Sequence, residues 1–536
     1  MNSIWNNNYT AFKSRFPQLA LITGSQSVPP ETFWKLENAK NGMITASEAG
    51  EVGGVSVRLH SAYNPEREAS GAVGRDEVFE KSAIVFYGFG LGYHVIECAK
   101  KILSEKKPNR LVLIEPDIQH FFAAMSLIDW TPVFEVEKLV ILVGAPAESV
   151  LPLLEDSTRV NIGESGVSDS YFFDIPAFTA HAASYFDTVR SIVKRNQCKN
   201  EINAATLKKF GRLWCRNSIK NISQLQKLAG ITGFENKAKN LPFLILGAGP
   251  SLESILPYIK EVASRTVTVC VETTLHTLLR AGVQPDFIIL TDPQFWAYRH
   301  IAGLRAKESF LITEVSAYPS VFRFPCRKIF LCASQFPVGQ YFENKLGLNP
   351  GDLGTGGSVA SSAWNFAHFC GASEIFTAGL DMAFPEKQTH IKGSSAEQTW
   401  HTLSSRINTP EKFTSATLFS ANAVAAKDYT GRPVLTDSRM KMFAWWFESR
   451  LAGCPETKTY TLSPQGLAVP GIQNAELSSL LSRPEIIVNK KSFLSAAAQI
   501  PPLCASDSKK NELAELVFRF PDESFLSQYP FLREYL

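Results

Sequence analysis

Leu244-Ile-Leu-Gly-Ala-Gly-Pro-Ser-Leu-Glu253 runs from an apolar stretch through a glycine turn into a polar segment. The apolar part, Phe243–Leu246, reads as a buried strand. Gly247-Ala-Gly249 lets the backbone approach an anion closely, and a helix opening at Ser251 would point unpaired N–H groups at it. Similar residue types recur in Thr355-Gly-Gly-Ser-Val-Ala360, where Gly356, Gly357 and the Ser358 hydroxyl precede a helix of small residues. Ala378-Gly-Leu-Asp-Met-Ala383 ends a strand on Asp381. Strand, glycine turn and helix in succession are the marks of an α/β fold, and the residue types describe a nucleotide- or phosphate-binding enzyme site.

The same alternation continues outward. Strands are predicted at Thr266–Val271, Phe287–Leu290, Phe310–Ile312, Ile329–Leu331 and Glu374–Ala378, with helices at Ser251–Ser264, Thr274–Ala281 and Ser358–Cys370. Pro257 should weaken the first helix, and Gly282 and Gly371 fall where helices end. In an open parallel sheet, ligands bind beyond the carboxyl ends of the strands. The chemistry-bearing positions fall there: Gly247, Gly249, Pro250 and Ser251, then Glu272 and Thr273, then Asp292, then Asp381. Either aspartate alone would suit a turn or a helix cap; their shared rim position favours a site. His390 follows in the polar stretch Pro385–Gly393, which reads as a surface loop. Loop histidines are usually solvated, but one held over a phosphate can act as acid, base or charge stabiliser.

Upstream, Ala83–Tyr87 runs into Gly88-Phe-Gly-Leu-Gly92, Arg110–Ile114 ends on Glu115, and Lys138–Val143 is a third strand, giving a βαβαβ order. The glycine turn with Glu115 resembles the opening of a methyltransferase-like or dinucleotide fold. Phe89, Leu91 and Tyr93 crowd that turn and favour simple packing. The fold expected is therefore α/β, with two Rossmann-like domains built on parallel sheets. The divisions are residues 1–172, with a hairpin-like stretch Val52–His60; a helical connector, 173–240; a central domain, 241–475; and a small helical region, 476–536. The aromatic run Phe443-Ala-Trp-Trp-Phe447 suits core packing.

At 536 residues with a net charge of +3, the chain has room for two or three cores and no basic excess to coat nucleic acid or a membrane. Nine scattered cysteines without a C-x-x-C pair fit reduced thiols in the cytoplasm. The start Met1-Asn-Ser-Ile-Trp-Asn lacks the charge and apolar pattern of a secretory signal, and no run reaches the roughly 18 apolar residues of a membrane span.

The combination of Leu246–Leu252, Ala281-Gly-Val-Gln-Pro-Asp-Phe-Ile-Ile-Leu-Thr-Asp292, Thr355–Ala360, Gly379-Leu-Asp381 with His390, and Tyr429-Thr-Gly-Arg-Pro-Val-Leu-Thr436 resembles the motility-associated factor (Maf) flagellin glycosyltransferases. Their central domain is similar to 6-hydroxymethylpterin diphosphokinases and, more distantly, to bacterial sialyltransferases. His60–Ala69, Tyr87–His94 and Ile114–Asp117 resemble the N-terminal domain of the same family. The resemblance implies transfer of a nonulosonic acid, of pseudaminic or legionaminic type, from its CMP-activated donor to serine or threonine of flagellin, its protein partner. It implies no firm cofactor beyond that donor. Glycine turns at Gly247–Ser251 and Thr355–Ser358 would hold the phosphate, Glu272 and Thr273 the nucleoside, and Asp381 or His390 would act on the acceptor hydroxyl. Asp292 and Asp381 would take a divalent metal if one is used. Two rivals remain: a pyrophosphokinase using ATP and Mg²⁺, and a flagellin-binding chaperone without catalysis.

Overall fold

The computed structural model describes residues 3–24, 28–48, 57–158, 169–354 and 356–536, which form two compact units, Met1–Ala205 and Thr206–Leu536. In the first unit the helices Ser3–Arg15 and Pro17–Thr23 are followed by an antiparallel hairpin of β1 (Trp34–Asn38) and β2 (Ile44–Glu48). Of the hairpin-like stretch expected from the sequence, 52–56 lies outside the described residues. The unit's main sheet is parallel: β3 (Ala83–Tyr87), β4 (Arg110–Glu115), β5 (Leu139–Val143) and β6 (Ser170–Asp174), in the order β5-β4-β3-β6. Every residue of β3 is buried, as a strand covered on both faces must be.

The glycine turn after β3 is closed by packing. A Cβ at Gly88 would stand 2.3 Å from the Phe178 carbonyl oxygen, and one at Gly92 would stand 2.3 Å from the Trp130 ring. Gly88, Gly90 and Gly92 also adopt positive φ. Phe89 and Leu91 are fully buried. Glu115 is buried as well and accepts the Asp117 N–H at 3.1 Å, while His181 Nε2 lies 2.9 Å from it. Both contacts fall on Oε1; Oε2 faces His120 Nδ1 at 3.4 Å without a hydrogen bond.

The second unit is built on a sheet of nine parallel strands: β7 (Ala229–Gly230), β8 (Phe243–Leu246), β9 (Val267–Val271), β10 (Phe287–Ile289), β11 (Ala306–Thr313), β12 (Cys326–Leu331), β13 (Glu374–Ala378), β16 (Lys458–Thr461) and β17 (Ile472–Asn474). A separate antiparallel hairpin pairs β14 (Val424–Lys427) with β15 (Pro433–Thr436). Adjacent residues on β8 face opposite sides, Phe243 and Ile245 into one core and Leu244 and Leu246 into another. The first of these cores gathers Phe287, Phe330, Phe366 and Phe493 around Phe234. Phe493 comes from the late helix Ile487–Ala498, so the C-terminal helical segment helps to build the core.

Two expectations need correction. The stretch read as a helical connector contains the helix Ala183–Asn221, which crosses the division between the units, but it also contributes β7 to the large sheet. Two residues, Ala229 and Gly230, carry no alternation from which a strand could be read. The helix expected at Ser251–Ser264 is broken into short 3-10 turns, Pro250–Ser254 and Leu256–Tyr258, before an α-helix at Ile259–Arg265. Pro257, inside the expected helix, supplies no N–H to an α-helical ladder, which accounts for the break.

Candidate functional site

The sheet order is β17-β16-β13-β8-β9-β10-β11-β12-β7. From β8 the chain winds through β9 to β12 in one direction, then returns to place β13 on the other side of β8. The topological switch point therefore lies between β8 and β13, where open α/β sheets form their ligand crevice. The loops leaving these strands are Gly247-Ala-Gly249 and Gly379-Leu-Asp381, which are among the motifs picked out from sequence.

The two loops are pressed together. Gly249 N–H donates to the Gly379 carbonyl at 2.9 Å, and Gly247 N–H donates to Ala378 at the same distance. A Cβ at Gly247 would be 2.4 Å from the Gly379 oxygen, and one at Gly249 would be 2.4 Å from Asp381 Oδ2. Asp381 then accepts the Ser251 backbone N–H at 3.0 Å on one oxygen and the Ser251 hydroxyl on the other. The N–H group expected to face a phosphate is bound to the protein's own carboxylate. Asp381 is 3% exposed, and burial pushes its pKa up to about 6 despite the bonds from Ser251.

Carboxylates mark the ends of the next three strands. Glu272 follows β9 directly, Asp292 follows β10, and Glu314 follows β11. Burial, with the Asp292 charge adding to it, raises Glu272 to about 8, and its Oε2 has no hydrogen-bond partner. Burial raises Asp292 too, against the opposing bond from the Gln294 N–H at 2.8 Å. Glu314 is raised by burial although the Ser316 hydroxyl and the Gln335 N–H donate to it. At neutral pH Glu272 is therefore a buried, protonated acid able to donate a hydrogen bond. Thr273, beside it, is half-buried.

His390 was expected on a solvated surface loop, but its segment is tied down. The Ile391 N–H donates to Ala248 of the glycine loop at 2.9 Å, and both nitrogens of Lys392 donate to Glu253. Ile391 is fully buried, which explains the anchoring and could have been read as a hydrophobic pin in a polar stretch. Burial lowers the His390 pKa, with Arg439 contributing. His300, lowered to about 4 by burial and by His390, lies on the helix Phe295–Ile301 that directly follows Asp292.

The second glycine element also meets other parts of the protein. Ser358 caps the helix Val359–Phe369 by accepting the Ser361 N–H at 3.3 Å. A Cβ at Gly356 would be 2.8 Å from Trp446, and one at Gly357 would be 3.2 Å from Phe443. Trp446 and Phe443 belong to the helix Ser438–Ala452, which also carries Arg439 near its start. Thr355 lies outside the described residues. The hairpin β14–β15 carries the Tyr429–Thr436 motif and bonds the segment after Asp381: Phe384 N–H donates to Leu435, and the Thr436 hydroxyl donates to Met382. Tyr429 lies close enough to Asp381 for the carboxylate to raise its pKa, a lesser effect than burial.

The residues that sequence reasoning missed are Glu314, His300 and Arg439. Glu314 obeys the same strand-end rule as Asp292 and was legible. His300 and Arg439 were not, since each comes near His390 only through tertiary packing. Among the described residues, clusters of three ligand-type side chains occur at Glu115/His120/His181 and at His368/Cys454/Glu456; neither includes Asp292 or Asp381.

Residues 55–175 match the family model described as the glycosyltransferase Maf N-terminal domain, and residues 216–387 match the one described as 6-hydroxymethylpterin diphosphokinase MptE-like. The chain thus joins a Maf-type N-terminal domain to an MptE-like domain, the combination expected from its sequence. A Maf glycosyltransferase structure from Magnetospirillum magneticum AMB-1 shares the fold, with a TM-score of 0.60 at 16% identity over 97% of this chain and 81% of that one. An uncharacterized protein of Treponema pallidum (strain Nichols) is 34% identical over 231 residues, 38% of this chain and 59% of the relative. This chain thus spans under two thirds of that relative's length. A second from the same organism is 30% identical over 266 residues, covering 47% of this chain and 84% of the relative. The MptE-like match stops at residue 387, so His390, the β14–β15 hairpin and Arg439 lie beyond the matched residues. Among the described residues, no helix is long and apolar enough to cross a membrane.

Proposed function

We propose that this protein transfers a nonulosonic acid of pseudaminic or legionaminic type from a CMP-activated donor to serine or threonine hydroxyls of flagellin. The observation carrying the reading is the convergence at the switch point. Ser251 and Asp381 are bonded directly, and the His390 segment is tied to Ala248 of the same glycine loop. The match to the Maf N-terminal glycosyltransferase domain supports the reaction class, and the rim offers groups suited to it.

Such a donor carries negative charge on both its phosphate and its sugar carboxylate, and a row of ionised carboxylates would repel it. Burial holds Glu272 protonated and raises Asp292 and Glu314, so the rim is less anionic than its composition suggests. Protonated Glu272 can donate to the nucleotide, and Arg439 offers positive charge near His390. As the bond to CMP breaks, negative charge grows on the leaving phosphate, which positive or N–H groups stabilise. Asp381, raised to about 6, has a pKa suited to accepting the acceptor hydroxyl's proton, either directly after releasing Ser251 or through the Ser251 hydroxyl.

The MptE-like match supports a second reading, a pyrophosphokinase in which Asp292 contributes to Mg²⁺ binding. One experiment separates the two readings. The purified protein is incubated with flagellin and CMP-activated nonulosonic acids, and in parallel with ATP, Mg²⁺ and 6-hydroxymethylpterin. A mass increase on flagellin of one acidic sugar is the expected result. Pterin diphosphate formation without flagellin modification would replace the proposal with the kinase reading, and turnover in neither would favour a non-catalytic flagellin-binding role.

A further inference from the structure

At the edge of the large sheet opposite the strand-end site, a cavity of about 760 Å³ is lined by Asp352, Asn365, His368, Trp446, Arg450 and Glu456 among others. Ser373 directly precedes β13, and Thr457, which directly precedes β16, also lines it; the cavity therefore opens at the amino ends of these strands. At its border, His368 Nε2 lies 3.8 Å from Cys454 Sγ. A carboxylate oxygen of Glu456 completes a group of three ligand-type atoms that lie within 4.8 Å of one another.

The histidine is prepared for a ligand's role. Its ring stacks on Trp364 with centroids 5.2 Å apart and planes 12° from parallel, which fixes its orientation. Its Nδ1 is 2.9 Å from Thr457 Oγ1, and that hydroxyl donates to the Ala372 carbonyl at 3.5 Å. With its proton directed to Ala372, the hydroxyl accepts from Nδ1–H. That tautomer leaves the Nε2 lone pair facing Cys454, the outer-sphere arrangement common at metal-bound imidazoles. A tetrahedral zinc ion holds nitrogen and sulfur ligands about 3.6 Å apart, given its usual bond lengths. The observed separation needs an adjustment of only tenths of an ångström. The Glu115/His120/His181 group is less suited: its imidazoles stack with centroids 4.1 Å apart and planes 7° from parallel, so their in-plane lone pairs do not converge.

We propose that His368, Cys454 and Glu456 bind a borderline-soft divalent cation of zinc type, with its remaining position open to the cavity. The ion ties the last turn of the helix Val359–Phe369 to the turn following Ser438–Ala452. These two helices carry Ser358 and Arg439 at their other ends, so the ion would brace the elements that support the strand-end site.

The test uses the full-length protein freed of metal with a chelator and then titrated with Co²⁺. The expected result is one equivalent of tight binding, with a thiolate-to-cobalt charge-transfer band in the near ultraviolet, displaced by Zn²⁺ and accompanied by a higher Tm. Cys454→Ser abolishes the band, whereas Cys326→Ser keeps it. Glu456 is exposed, so Glu456→Gln folds normally and weakens Co²⁺ binding by ~10-fold, as loss of one ligand requires. Absence of the band at millimolar Co²⁺ would overturn the proposal. So would a band that survives Cys454→Ser, or unchanged affinity in Glu456→Gln.

Discussion

Asp381, just beyond β13, accepts both the backbone N–H and the hydroxyl of Ser251, a residue 130 positions earlier in the chain. This contact joins the two loops at the switch point and fills the turn at Gly249–Ser251 with an internal anion. A phosphate bound there would have to displace Asp381 or approach from elsewhere on the rim. The contact should also matter to stability, because hydrogen bonds to charged groups contribute about 1.5–3 kcal/mol and a buried acceptor left unpaired costs more. In a double-mutant cycle, Ser251→Ala and Asp381→Asn should be strongly non-additive in urea unfolding followed by fluorescence, with a coupling of at least ~1 kcal/mol. Additive losses would mean that the contact contributes nothing to stability.

Glu272 gives a pH signature. Its carboxyl titrates near 4.5 in an unfolded chain and at about 8 in the fold, raised by burial and then by Asp292. Between those values the folded protein keeps a proton that the unfolded chain releases, so this group's stabilisation is complete below pH 4.5 and is lost as the pH climbs through 8. Glu272→Gln mimics the neutral form. The Tm of wild type should fall relative to the variant as pH rises from 5 to 8. Parallel curves would show that Glu272 is ionised throughout.

Gly249→Ala tests why the glycine is there. The added Cβ would lie 2.4 Å from Asp381 Oδ2 and 2.6 Å from the Gly379 oxygen, distances that real side chains do not show. Backbone φ at Gly249 is −72°, an ordinary value, so the requirement is for close approach rather than for conformational freedom. The expected outcome is a lower Tm together with loss of the Ser251–Asp381 contact. A variant as stable as wild type, with nucleotide binding alone impaired, would restore the simpler idea of a glycine kept clear for phosphate.

The sequence showed the sheet because β8 and β13 are short, continuous apolar runs, and their boundaries, Phe243–Leu246 and Glu374–Ala378, match those read from it. The strand-end rule found Glu272, Asp292 and Asp381 for the same reason: it needs only a strand and the residue that follows. It could not show that Asp381 would bond Ser251, since that depends on β13 returning beside β8, a fact of sheet order. The short strands β7, β16 and β17 were missed because two to four residues carry no usable period. The environment of His390 was hidden likewise. A polar stretch resembles a solvated loop until Ile391 is found buried against the glycine turn.

The last prediction concerns catalysis by Asp381 and His390 under the proposed function. His390 is lowered by burial and by Arg439, so it is neutral at pH 7, and stability linked to it is present above its unfolded pKa and lost as pH falls through the lower folded value. It should therefore produce no break in the transfer rate near pH 6.5. Asp381, at about 6, should instead make the rate rise with pH through that value if it accepts the proton. Asp381→Asn should lower transfer by at least ~10²-fold and flatten the profile, with little change in CMP affinity. Arg439→Gln should raise the His390 titration point in an NMR titration of the imidazole protons, because a nearby positive charge that opposes protonation is gone. If Asp381→Asn transfers sugar at the wild-type rate, Asp381 only joins the two loops and the base lies elsewhere on the rim. If the wild-type profile instead breaks near 6.5 and the break is lost in His390→Gln, the histidine carries the proton.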